Sequence, residues 1–225
     1  LQALLEDGRV DASADNFFAI KQASKNGHKE CVQLLLAHEK DGTTPKSIVQ
    51  MCFLFLACRA GNFTEITRLI EEKVDINDSF VEDGCTVMYR ACERGQPLKM
   101  IQFLNERGAK IDQTSVLQVS PLMLACANGK LDVVEFLVEK GADVERRDTV
   151  GRTPFLWLSE RSGNVEIAKY LVENGSNAAA TTDHGETALD LTRRNGFELL
   201  ENWLLNNINQ FKFIYQSKKK KRNNN

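Results

Sequence analysis

Two textures of hydrophobic and polar positions alternate along the chain. Leu122-Met123-Leu124-Ala125-Cys126-Ala127 is a short run, apolar on nearly every side, which as a helix must be covered all round. Leu131-Asp132-Val133-Val134-Glu135-Phe136-Leu137-Val138 places its apolar residues at i, i+3 and i+4, the stripe of an amphipathic helix with one wet face. Ser120-Pro121 opens the first helix, because serine caps the free N–H groups and proline fits the first turn, where its missing N–H costs nothing. Asn128-Gly129 ends that helix, since glycine takes the left-handed conformation cheaply, and Gly141-Ala142-Asp143 ends the second. Polar Glu145-Arg146-Arg147-Asp148 then leads to a turn at Gly151. One unit therefore reads helix, tight turn, helix, extended loop. The same texture predicts helix pairs near residues 17–38, 46–73, 87–107, 121–140, 154–174 and 188–208.

The unit repeats. Gly27, Gly61, Gly95, Gly129, Gly163 and Gly196 are separated by 34, 34, 34, 34 and 33 residues. Alanine and a small residue precede the first four: Ala23-Ser24, Ala57-Cys58, Ala91-Cys92 and Ala125-Cys126. A fixed period of this length means stacked copies of one supersecondary unit, each burying its apolar face against the next. Pro45, Pro97, Pro121 and Pro154 all fall where a helix should begin. Two departures are visible. Ser159-Glu160-Arg161-Ser162-Gly163 carries one extra residue, read as a loop variation or a contact site, and the shorter step from Gln118 to Gly151 offsets it. Asp41-Gly42-Thr43-Thr44-Pro45 starts a helix too early for the period, which predicts a long inner helix from Pro45 to Arg59.

Gly151-Arg152-Thr153-Pro154-Phe155-Leu156, the Gly-Ala-Asp of 141–143 and the variant Gly185-Glu186-Thr187-Ala188-Leu189-Asp190 resemble the ankyrin repeat, whose signature is T-P-L-H-x-A. The likeness extends over about residues 16–205, with earlier copies drifting to Asn16-Phe17-Phe18-Ala19, Met51-Cys52-Phe53-Leu54 and Thr86-Val87-Met88-Tyr89. It implies an all-α solenoid of stacked helix-turn-helix repeats with extended hairpin loops. Residues 1–15 read as the end of a truncated repeat, 16–209 as the array with a C-terminal capping copy, and 210–225 as a basic, disordered tail. In the last copy Arg193, Arg194, Glu198, Glu201 and Asn202 suit an uncovered end, while Trp203 and Leu204 should pack back on the preceding pair.

Composition adds limits. The chain has 225 residues, 42% hydrophobic and 27% charged, which is enough apolar material for a core, and no run of eighteen apolar residues. Net charge is −2, yet five cations lie in Lys218–Arg222, so residues 1–217 carry −7 and are no general nucleic-acid surface. Six cysteines form no CxxC pair; Cys58, Cys92 and Cys126 share one slot of the repeat and read as small buried core residues, reduced in a cytoplasmic or nuclear setting. His28, His38 and His184 stand at turn or tip positions, and no phosphate-binding glycine loop or zinc-binding helix occurs. No catalytic group, metal or cofactor is therefore expected.

What remains is binding. The resemblance implies that partners meet the loop tips and the exposed face of the inner helices. Carried onto this chain by repeat position, the inner-helix sites are Arg59, Glu93, Arg94, Asn128, Glu160, Arg161 and Arg194. The tip sites are Glu82, Asp83 and Cys85; Val116, Leu117 and Val119; Thr149, Val150 and Arg152; Asp183 and His184. The middle tips are apolar, with Val116-Leu117 beside Thr149-Val150 and Phe80-Val81 one layer earlier. Either this is an exposed partner patch or the loops bury these residues against each other. The expected function is a non-catalytic adaptor or scaffold, monomeric, that binds a protein; the alternative is the recruiting module of a larger enzyme such as a kinase or ubiquitin ligase. For Lys218, Lys219, Lys220, Lys221 and Arg222 three readings stay open: a solvated tail, a nuclear-import signal, or an anionic membrane-surface contact.

Overall fold

The computed structural model describes residues 14–37, 44–80 and 82–207. The N-terminal partial repeat, His38, the start of the Asp41–Pro45 turn, Val81 and the basic tail lie outside the described residues. Inner and outer helices alternate: α1 (Ala14–Asn26) with α2 (Lys29–Ala37), α3 (Lys46–Arg59) with α4 (Phe63–Glu71), α5 (Val87–Glu93) with α6 (Leu98–Glu106), α7 (Pro121–Ala127) with α8 (Leu131–Glu139), α9 (Pro154–Arg161) with α10 (Val165–Glu173), and α11 (Ala188–Arg194) with α12 (198–207). Inner helices pack on inner helices in chain order, and outer α6, α8 and α10 do the same, giving the expected all-α solenoid.

The recurring residues act at the helix ends. Thr86, Ser120, Thr153 and Thr187 cap α5, α7, α9 and α11, each hydroxyl accepting from the N–H three residues on, at 3.2, 3.3, 3.4 and 3.2 Å. At the other end, the carbonyl of the recurring alanine accepts from the residue after the turn glycine: His28 N to Ala23 O at 2.8 Å, Asn62 N to Ala57 O at 2.8 Å, Gln96 N to Ala91 O at 3.0 Å, Lys130 N to Ala125 O at 3.2 Å. The alanine–glycine rhythm is thus one capping device repeated. Gly163 departs from it. The extra residue is not looped out but lengthens α9 to eight residues where α5, α7 and α11 have seven, and Gly163 N reaches Leu158 O directly at 2.9 Å.

Layers are tied at the same ends. The Asn128 side-chain amide donates to Cys92 O at 2.8 Å, and Ser162 Oγ donates to Cys126 O at 2.8 Å. Below these ties Cys58, Cys92 and Cys126 are buried in the stack. Burial pushes the Cys58 thiol up to about 12, and raises Cys92 and Cys126 through burial and then through the neighbouring sulfur. On the outer face Phe63 and Phe103 meet edge to face at 4.8 Å, and Lys99, Arg107 and Lys140 lie over Phe63, Phe103 and Phe136.

The early start at Pro45 yields the long inner helix expected there: α3 has 14 residues, and Pro45 stands at its N-cap. At the other end Leu204 is buried and Trp203 packs against the core, as expected from the sequence.

Hairpins project from the inner-helix side. Ser115 N bonds Val119 O at 3.1 Å, Asp148 N bonds Arg152 O at 3.0 Å and Thr182 N bonds Glu186 O at 3.0 Å, closing three-residue tips whose last residue is left-handed. That residue is Gly151 at φ +79° and Gly185 at φ +81°, but in the first of the three hairpins it is Gln118 at φ +58°. Successive tips then bond to each other: Val116 N to Asp83 O at 3.0 Å, Thr149 N to Leu117 O at 3.1 Å, Asp183 N to Val150 O at 3.0 Å.

Two outcomes are expected. Gln118→Gly should raise the urea midpoint, corresponding to about 1 kcal/mol of relieved left-handed strain; an unchanged or lower midpoint would contradict the tip conformation. In the native protein near neutral pH, iodoacetamide should alkylate the half-exposed Cys31 and leave Cys58, Cys92 and Cys126 unmodified until denaturant is added, as read by peptide mass spectrometry.

Candidate functional site

The main-chain ladder between tips makes a continuous ribbon on which the middle side chains stand outward. Val116, Leu117 and Val150 are 56%, 60% and 38% exposed, and Thr149 is exposed beside them. Of the two readings left open for these loops, the structure has the tips bonded through main chain while their side chains face solvent. Acidic tips flank them, Glu82-Asp83 on one side and Asp183 with His184 on the other. Three tip assignments need correction. Phe80 is no part of the patch: it is buried edge to face on Phe55 at 5.2 Å, beneath the ammonium groups of Lys21 and Lys25. Val119 and Cys85 are also buried, because each follows the left-handed residue and points back into the stack.

Behind the middle tips lies a cluster that repeat position alone did not reveal. Asp148, 6% exposed, accepts at Oδ1 from the N–H groups of Val150 and Arg152 at 3.0 and 2.8 Å. Its Oδ2 accepts from Arg152 Nε at 2.8 Å and from Trp157 Nε1 at 3.0 Å. The Arg152 guanidinium lies 4.4 Å from the Trp157 ring and also donates to Glu160 at 2.8 Å. Arg161 approaches the same ring at 5.7 Å, and Glu160 stands within 3.9 Å of Arg161 and 3.6 Å of Arg194. Arg152, Glu160 and Arg161 are thereby brought together around a half-buried tryptophan one hairpin's depth from Leu117 and Val150. The available signal was Trp157 itself, standing where the neighbouring inner helices carry Leu124 and Arg90.

Asn128 belongs to the frame, since its amide is spent on the carbonyls of Cys92 and Glu93. Glu93 and Arg94 lie on the other half of the inner face. There Asp83 pairs with Lys25 at 2.6 Å and with Arg90, which also donates to Glu93 at 2.8 Å. Burial opposes the Asp83 charge, but hydrogen bonds from Lys25 and the Cys85 N–H, with the Arg90 charge, hold its carboxyl below the usual range. No group of three or more His, Cys, Asp or Glu side chains able to hold a metal occurs among the described residues, and none of their helices is long and apolar enough to cross a membrane. His28 and His184 are exposed and lie in separate repeats.

Comparison with known proteins agrees with this geometry. The family described as Ankyrin repeats (3 copies) matches residues 22–115, 54–148 and 122–213. The chain is 30% identical over 174 residues to Ankyrin repeat and KH domain-containing protein mask-1 of Caenorhabditis elegans, covering 77% of this chain and 6% of that protein. It is 43% identical over 72 residues to mouse Ankyrin repeat and SAM domain-containing protein 6, covering 32% of this chain and 8% of the relative. It is also 33% identical over 100 residues to human Protein phosphatase 1 regulatory subunit 27, covering 44% of this chain and 64% of that protein. The chain therefore spans under a tenth of the first two relatives. With its capped helix pairs, its tip ladder and a family match running from residue 22 to residue 213, this chain belongs to the ankyrin-repeat family.

Proposed function

We propose that this array is an adaptor or scaffold module that grips a protein partner through the middle tips and the adjoining inner face. Ankyrin-repeat modules as a class mediate protein–protein contact; the choice of surface is specific to this chain. The observation that carries it is the row Val116, Leu117 and Val150, exposed on a main-chain ladder, where loops are ordinarily polar. Full burial of such side chains gives about 1.5–3 kcal/mol each, so a partner covering all three gains a sizeable part of micromolar affinity. Gln118 supports the same reading: a left-handed tip kept without glycine, beside an apolar patch, is the kind of local strain that binding surfaces retain. The tryptophan behind it, flanked by Arg152 and Arg161, supplies the kind of anchor that interfaces concentrate.

Among the relatives, one is named a regulatory subunit of a phosphatase and two are named for a KH or SAM domain beside the repeats. Those names favour, as a second reading, a recruiting module working beside other domains of a longer protein. The six free thiols fit a reducing compartment, cytoplasm or nucleus.

Leu117→Ser with Val150→Ser tests the surface. The doubly substituted chain should melt at the wild-type temperature, because both side chains are exposed. Quantitative affinity capture should lose the stoichiometric partner that wild type retains. Capture of the same partner in the same amount by both chains would remove the tips from the interface.

A further inference from the structure

The two halves of the inner face differ in how their charges are satisfied. Around Trp157 each arginine has a carboxylate: Arg152 has Asp148 and Glu160, and Arg194 has Glu186 and Glu160. At the other end, α1, α3 and α5 enclose a small cleft lined by Lys25, Phe55, Cys58, Arg59, Arg90, Arg94 and Gln96. Among the described residues these four cations and the neighbouring Lys21 face three carboxylates, Glu82, Asp83 and Glu93. Arg59 is exposed and makes no ion pair among the described residues. Arg94 spends one amino group on the Lys25 carbonyl at 3.2 Å and the Asn26 side-chain oxygen at 3.4 Å, and its Nε lies 3.7 Å from Glu93. Arg90 Nε is buried with no hydrogen-bond partner.

The cleft is held in shape rather than loosely populated. A Cβ at Gly27 would lie 2.2 Å from Arg59 Nε and 2.4 Å from its Cδ, so the guanidinium arm lies against the bare face of that glycine. The Gln96 amide donates to the Arg59 carbonyl at 3.2 Å, fixing the end of α3 against the next layer. Phe55 and Cys58 line the cleft, and apolar walls strengthen charge interactions in a groove by keeping water out. This excess of two positive charges stands on a body, residues 1–217, of net charge −7.

We propose that Arg59 and Arg94, exposed at the mouth of this cleft between α1, α3 and α5, bind the carboxylates of an acidic peptide segment of the partner. The proposal rests on the reading of the inner face as a partner surface, but it uses none of the tip residues. Arg59 and Arg94 offer forked N–H pairs to a carboxylate, and Arg90 adds charge from the wall.

The test is fluorescence anisotropy with a labelled oligoglutamate peptide, against an oligoglutamine peptide of the same length. Wild type should bind the first and not the second, with affinity falling as salt rises. Arg59→Gln with Arg94→Gln should weaken binding by about tenfold or more, the loss of one to two charge-assisted hydrogen bonds. Lys169→Gln, on the distant outer face, should leave it unchanged. The tip variant Leu117→Ser with Val150→Ser should bind the peptide as wild type does, so failure of the tips and failure of the cleft read out separately. Equal binding of both peptides, equal loss with Lys169→Gln, or full binding by the folded Arg59→Gln, Arg94→Gln chain would each overturn the proposal. Binding of a phosphoserine peptide without the glutamate one would overturn the carboxylate assignment.

Discussion

An isolated helix of seven residues is unstable in water, and α5, α7 and α11 are that short. They persist because each is capped by its own Thr or Ser and by a glycine turn whose next N–H reaches back to Ala91, Ala125 or Thr192, and because the next layer covers the sides that one pair leaves open. Layers can cover one another only where they meet at the same height each time. The side-chain ties from Asn128 and Ser162 to the cysteine carbonyls and the main-chain bonds between tips impose that height at opposite edges of the inner-helix layer. Exposed ion pairs such as Arg68 with Glu65 are screened by water and add little, so the apolar stack and its capping hold the array together, and the surface charge is left available for other uses.

Deviations are absorbed where they leave this spacing intact. The extra residue before Gly163 lengthens α9, while Ser162 still reaches the Cys126 carbonyl as Asn128 reaches Cys92. Next to the long α3, the chain around Phe80 closes on α1, with Phe80 under Lys21 and Lys25 and Glu82 paired to Lys21 at 2.6 Å.

Contacts within one copy were legible in the sequence. Helix pairs, caps, proline positions and the long α3 follow from local propensity and period, and the cysteine slot follows from repetition. Contacts between copies were not. Phe80 reads as tip residue until α1, some sixty positions earlier, is seen above it; Asn128 reads as a free inner-face amide until the Cys92 carbonyl is placed beneath it. Asp148 reads as loop polarity, although two N–H groups, a guanidinium and an indole converge on it. Exposure of Val116, Leu117 and Val150 was the open question, and it turned on the tips bonding through main chain, which frees their side chains from burying one another.

The inner face therefore has two ends with different physical character. Around Trp157 the charges are mutually satisfied and the ring is held by a hydrogen bond and a stacked guanidinium, which makes a rigid surface with little to reorganise on binding. Around Arg59 the cations exceed their carboxylates, and the field there acts at a distance on anything acidic that approaches. Electrostatic excess of this kind changes how fast a partner arrives and how it is oriented more than how long it stays. A rigid, apolar and neutralised end changes mainly how long it stays. A partner laid along the face with its acidic segment at α1–α5 and its apolar segment at the middle tips would use each end for what its chemistry does best, and the array's fixed spacing keeps those two requirements at a constant separation.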